Sequence, residues 1–167
     1  LTESQIRNFE KQQADSNAEW RREWLDVSIA KLAERRYKLL LSRAEGFYGA
    51  LQDPQKAILR RLIAESTFDP QRSYAERLRR QTDLTQVLRQ IASDPANTER
   101  NRSLLRGYME RFNTSPDLAY QRYALQLVEE GCAGFALVHR AMTPAQRLKA
   151  VQSVKGYEQD FWVLAGR

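Results

Sequence analysis

Apolar residues recur along this chain at spacings of three and four and break at short polar segments, the signature of successive amphipathic helices. Ile6, Phe9, Trp20, Trp24 and Val27 set the rhythm and predict a first helix from Glu3 to about Leu25. Its middle, Glu10 to Glu19, has only Ala14 and Ala18 as apolar residues and is expected to project or lie half exposed. A second helix is predicted from Ser28 to Tyr48, capped by Ser28 or joined to the first through Asp26. A third runs from Pro54 to Glu65, with Ile58, Leu59, Leu62 and Ile63 inward. Phe68-Asp69-Pro70 stops it and caps a fourth, Gln71 to about Ala92; Ser93-Asp94-Pro95 repeats the device before a fifth, Ala96 to Phe112. Asn113-Thr114-Ser115-Pro116 opens the most hydrophobic helix, which runs to about Arg140, and the last spans Pro144 to Leu164. In the sixth, Leu127, Val128, Phe135 and Val138 are expected to be core, with Gly131 at a close helix contact. No segment alternates long enough to be a strand. The pattern predicts an all-α, elongated bundle of six to seven helices in one domain over residues 1–167.

Three helix starts share a spacing: a large apolar residue followed four positions later by glutamine. They are Leu1-Thr2-Glu3-Ser4-Gln5, Leu51-Gln52-Asp53-Pro54-Gln55 and Met142-Thr143-Pro144-Ala145-Gln146. Thr2 and Thr143 are placed to be N-caps, with Gln5 and Gln146 closing capping boxes from N3. In the middle copy, Asp53 is the expected cap, with Pro54 at N1.

Charge adds a second pattern. The chain carries 27 basic and 21 acidic side chains, a net +6. Between Lys56 and Arg111 there are 12 basic and 7 acidic residues, which leaves 15 and 14 for the rest, so the middle third supplies nearly all of the excess. Arg72, Arg79 and Arg80 belong to this stretch, and Trp20 and Trp24 sit one turn apart on the first helix. Aromatics beside arginines are enriched at protein interfaces, so these five residues form the candidate binding surface. A basic nucleic-acid-binding module is the alternative. Against it, arginines at 100° per residue point around the whole helix, with Glu76, Asp83, Glu99 and Glu110 interleaved.

Catalytic chemistry finds little to build on. One cysteine and one histidine give no zinc set of the usual type, and there is no phosphate-binding glycine loop or nucleophile elbow. Cys132 reads as a small buried thiol and His139 as a cation favoured at a helix C-terminus. The adjacent pair Glu129-Glu130 reads as solvated charge. No metal, cofactor or catalytic residue is expected, and no apolar run approaches a membrane span.

Several segments carry a resemblance. Leu1-Thr2-Glu3-Ser4-Gln5-Ile6, the run from Asn17 to Asp26 around Trp20 and Trp24, and Phe68-Asp69-Pro70 with Glu76-Arg77-Leu78-Arg79-Arg80-Gln81 look like a family of uncharacterised bacterial outer-membrane lipoproteins. Met142 to Arg147 and Tyr157-Glu158-Gln159-Asp160-Phe161 extend the likeness over most of the chain. The resemblance implies the C-terminal part of a longer periplasmic precursor, tethered through a lipid-bearing cysteine that Cys132, mid-chain, does not replace. The helix starts also resemble those of small periplasmic envelope-stress chaperones. Together these imply a non-enzymatic domain with a protein partner in the cell envelope, chaperone-like or scaffolding.

Overall fold

A computed structural model describes Leu1–Gly166, of which 84% is helical, with no strand among the described residues. The seven helices are α1 (Glu3–Trp24), α2 (Ile29–Tyr48), α3 (Asp53–Glu65), α4 (Pro70–Ser93), α5 (Thr98–Asn113), α6 (Leu118–Arg140) and α7 (Pro144–Leu164). The all-α expectation holds. The chain forms two compact units, each assembled from two separate stretches. Unit 1 comprises residues 1–27 and 68–126, and unit 2 comprises residues 28–67 and 127–167.

Side-chain oxygens place most of the helix starts. Ser28 caps α2, which settles its separation from α1, and Asp69 caps α4 by accepting from Gln71 and Arg72. Two starts lie later than the sequence predicts. Asn97 caps α5 by accepting from Arg100 at 3.2 Å, because Asp94 is spent as the C-cap of α4. Asp117 starts α6, its carboxylate accepting from Ala119 at 2.8 Å and Tyr120 at 3.3 Å. Both Asn and Asp are strong caps, and each stands two residues or fewer beyond a proline that imitates a helix start.

The first and third apolar-to-glutamine starts form the expected capping boxes, whereas α3 is capped by Gln52 rather than Asp53, which is its N1 residue, with the Gln55 side chain accepting from the Gln52 N–H. The spacing from cap to N3 is then the same in each copy. In unit 2, two of these starts also lock onto each other. Gln55 donates to the Ala141 carbonyl at 2.9 Å and to Gln146 Oε1 at 2.8 Å. Gln146 answers with a bond to the Ala50 carbonyl at 3.0 Å and to Gln55 Oε1 at 3.1 Å. Each Oε1 meanwhile accepts from its own cap N–H, Gln52 at 2.9 Å and Thr143 at 3.0 Å. The apolar residues that precede the caps, Leu51 and Met142, are buried with Tyr37, Tyr48, Leu59 and Val138 in one cluster. In unit 1 the first copy only caps: Leu1 is 56% exposed.

The sixth helix corrects the core expectation. Val138 is buried and Leu127 is partly so, but Val128 and Phe135 are exposed. The inward face instead runs through Tyr123, Leu127, Glu130, Gly134 and Val138. Glu130 turns inward because its carboxylate accepts from the Thr67 N–H at 3.1 Å, from the Thr67 hydroxyl and from the Ser66 hydroxyl. It is therefore an anchor rather than solvated charge. The close contact is at Gly134, where a Cβ would meet Leu62 at 3.2 Å; around Gly131 the space is open.

Gly134→Leu is expected to cost about 1–3 kcal/mol by overpacking. Gly131→Ala should stabilise by about 0.5–1 kcal/mol through helix propensity. Urea midpoints in the opposite order would place the helix face wrongly. Gln55→Leu, which strands the carbonyl of Ala141 and the amide of Gln146, should cost about 2 kcal/mol in the same assay; an unchanged midpoint would show the glutamine pair to be dispensable.

Candidate functional site

The five residues of the candidate surface all lie in unit 1, yet they serve different partners. Trp20 stacks on Trp24 at 6.1 Å between ring centres and on Tyr74 at 5.2 Å, while Trp24 meets the edge of Phe68 at 6.0 Å. Both tryptophans are half-buried, so the ladder ties α1 to α4. The polar middle of α1 does the same work with different chemistry. Arg77 donates to Asn17 at 2.7 Å, Asn17 to Gln81 at 2.7 Å, and Arg89 to Glu10 at 2.9 Å.

Arg79 and Arg80 converge on a buried carboxylate. Glu76, 5% exposed, accepts from Arg79 Nε and Nη2 and from Arg80 Nε, each at 2.8 Å, and from Ser115 Oγ at 3.0 Å. Arg79 also bonds the Arg111 carbonyl at 3.0 Å, and Arg111 forms a two-pronged pair with Asp83 at 2.7 and 2.9 Å. The Arg80 guanidinium lies 4.5 Å above the Phe112 ring. Burial by itself pushes the Glu76 pKa up, but the hydrogen bonds from Arg79, Arg80 and Ser115 outweigh it and leave the pKa below the ordinary value. Arg79 is thus consumed by the fold and Arg80 largely so. Arg72 stays outermost: it pairs with Asp69 at 3.3 Å, lies 5.5 Å from the Tyr123 ring centre, and its side chain is 61% exposed.

Beside this network is a cleft of about 320 Å³, lined by Gln13, Arg80, Gln81, Tyr108, Phe112 and Tyr120. Burial raises the Tyr108 and Tyr120 pKa values, so both hydroxyls are neutral hydrogen-bonding groups at physiological pH. No set of three or more His, Cys, Asp or Glu residues that could hold a metal occurs among the described residues. His139 stands in the last turn of α6, where it also shares a 2.9 Å hydrogen bond with the Tyr48 hydroxyl and stacks on Phe135. Cys132 is exposed rather than buried.

That exposure belongs to a surface the sequence reading missed. On the unit 2 part of α6, Val128, Cys132 and Phe135 follow spacings of four and three, the register of a coiled-coil seam, and Val128 and Phe135 are 61% and 62% exposed. On the unit 1 part, Leu118 and Leu125 stand seven residues apart and are 65% and 63% exposed. A helix apolar on opposite faces has one stripe for its own core and one left over. The signal was present in the heptad spacing, but Glu130 and Gly134 disguised the inner stripe and made the outer one look like core.

Glu76→Gln should destabilise the protein by about 3 kcal/mol at pH 7, since it takes the carboxylate from Arg80 and leaves Arg79 with Asp83 at 3.6 Å. A carboxylate with a lowered folded pKa stabilises fully above its unfolded pKa and loses that contribution as pH falls through the folded value. Urea midpoints of the two proteins should therefore converge below the ordinary carboxylate range; equal midpoints at pH 7 would refute the role given to Glu76.

Compared with known proteins, the chain matches no family model, no curated protein and no solved structure.

Proposed function

We propose that this chain is a non-enzymatic protein-binding domain of the bacterial cell envelope that holds an amphipathic helix of a partner along the unit 2 part of α6, at Val128, Cys132 and Phe135. The observation that carries this reading is the outer apolar stripe of α6. A heptad seam is read by another helix, whose own apolar residues insert between its knobs. Contiguous exposed apolar surface of this kind marks an interaction site far more often than it decorates a monomer. The envelope setting, periplasmic and tethered to the outer membrane by an anchor outside residues 1–167, rests on the resemblance to the lipoprotein family. The described helices include none long and apolar enough to cross a membrane.

The nucleic-acid alternative is weaker. A phosphate-tracking surface needs guanidinium groups that face outward together. Here Arg79 and Arg80 share Glu76, Arg111 holds Asp83, and Arg89 meets Glu3 and Glu10. These pairs account for much of the basic middle third without any partner.

Photo-crosslinking amino acids at positions 128 and 135, introduced in the cells that make the protein, test the seam. Discrete adducts with one partner are expected there, and none at Gln152 on α7. Val128→Asp with Phe135→Asp should abolish the Cys132 protection from maleimide that the partner gives, while thermal unfolding stays within about 0.5 kcal/mol of the parent, as is usual for exposed positions. Equal labelling of Cys132 with and without the partner would refute the reading. DNA binding that falls steeply between 50 and 200 mM salt would favour the alternative.

A further inference from the structure

The last helix turns its small residues in and its large ones out. α7 contains no buried residue. Gln146, Ala150 and Ser153 are its partly buried positions, and Ser153 donates to the Phe47 carbonyl of α2 at 3.4 Å. Tyr157 continues that face, its ring 6.0 Å from that of Phe47. Leu148, Val151, Val154 and Phe161 gather on one adjoining flank instead and are between 51% and 71% exposed. This is residue chemistry suited to a core, and these four side chains stay largely in solvent.

Two opposite charges border the valines at equal spacing, while Lys155 stands on the Leu148 side of the flank, outside this pair. Arg147 stands four residues before Val151 and Glu158 four residues after Val154. At 100° per residue all four point within about 60° of one another. Glu158 has no ion-pair partner among the described residues, and Arg147 spends one Nη on the Arg140 carbonyl at 3.0 Å. A two-fold axis between Val151 and Val154 would set Arg147 against Glu158 of a second copy at both ends and close the valines on each other between them. Two-fold interfaces must be self-complementary in this way.

We propose that α7 is a self-association helix and that its apolar flank is covered by α7 of a second copy, antiparallel to it. At roughly 100 Å² each, the four flank residues offer roughly 400 Å² of apolar surface. That is close to the apolar share of a standard interface of ~800 Å² per partner, and Arg147 and Glu158 add the polar rim. The proposal concerns residues different from the α6 seam, and either stands if the other fails.

Sedimentation equilibrium of the 167-residue chain tests it, with a dimer of twice the 19.5 kDa monomer mass expected at about 50 μM. Val151→Asp with Val154→Asp should leave only monomer. Arg147→Glu and Glu158→Arg alone should each weaken the dimer about tenfold or more, because an attraction at both ends becomes a repulsion. Mixing those two single variants, or combining both changes in one chain, should restore it. Circular dichroism of each variant confirms that helicity is kept, and the aspartate variant supplies an independent reading if a swap disturbs the helix. A chain that stays monomeric at about 100 μM, which would leave the flank to a membrane surface or another protein, overturns the proposal. So does a dimer indifferent to the aspartates, or one that the double swap does not restore.

Discussion

Unit 2 closes around two carboxamides. Gln55 and Gln146 each occupy the N3 position of a helix, where the side-chain oxygen turns back to the cap N–H, and each then uses its amide nitrogen on the segment that precedes the other helix. The result is a local two-fold in which both oxygens and both nitrogens make two bonds apiece. Leu51 and Met142, one residue before each cap, are carried into the cluster with Tyr48, Leu59 and Val138. Any displacement of one helix start would break bonds in a partly buried setting, where unmatched polar groups cost far more than matched ones contribute. The directions of α3 and α7, and through α7 its contact with α2, follow from this junction.

Unit 1 is organised on different terms. Its buried set is short in apolar residues: Ile6, Val87 and Tyr123, alongside Glu76, Thr85 and Ser115. Stacked aromatics and a charged network take the place of a larger oily core. Glu76 acts as the hub because two arginines at i+3 and i+4 reach it from the same helix, and Ser115 reaches it from the turn between α5 and α6. Replacing such a network by apolar side chains of similar volume is often neutral for stability, whereas removing one member is not. Arginine in this stretch is accordingly a feature of architecture before it is a feature of surface charge.

Helix number, type and most boundaries could be read from spacing and capping chemistry, since Thr2, Ser28, Asp69 and Thr143 cap where their side chains suggest. The start of α3 slipped by one residue because Asp53-Pro54 imitates a cap and N1 pair. What resisted reading was which face of a helix is inside. On α6, two apolar stripes compete, and the true inner one contains a glutamate and a glycine whose purpose becomes apparent only when Ser66, Thr67 and Leu62 are placed beside them. How the candidate-surface residues are engaged within unit 1 was hidden for a related reason. Trp20 and Trp24 do share a face, but Tyr74 and Phe68 partly cover it, and charge counted along the sequence says nothing of which arginines are already paired.

The glutamine junction also bears on the order in which the protein acquires its fold. Its two halves are 91 residues apart along the chain, and the whole of residues 68–126 intervenes. During synthesis α2 and α3 therefore emerge early but cannot complete their unit until α7 follows, so Leu51 and the Gln55 amide wait uncovered. Contacts so distant in sequence form slowly, because loop closure must precede the reward. Exposed apolar surface in that interval invites capture or aggregation. A chain stopped short of Gln146 would lack α7 and keep α2, α3 and the later part of α6 without the latch that closes the unit, and it should be a target for proteolysis rather than a partly active fragment.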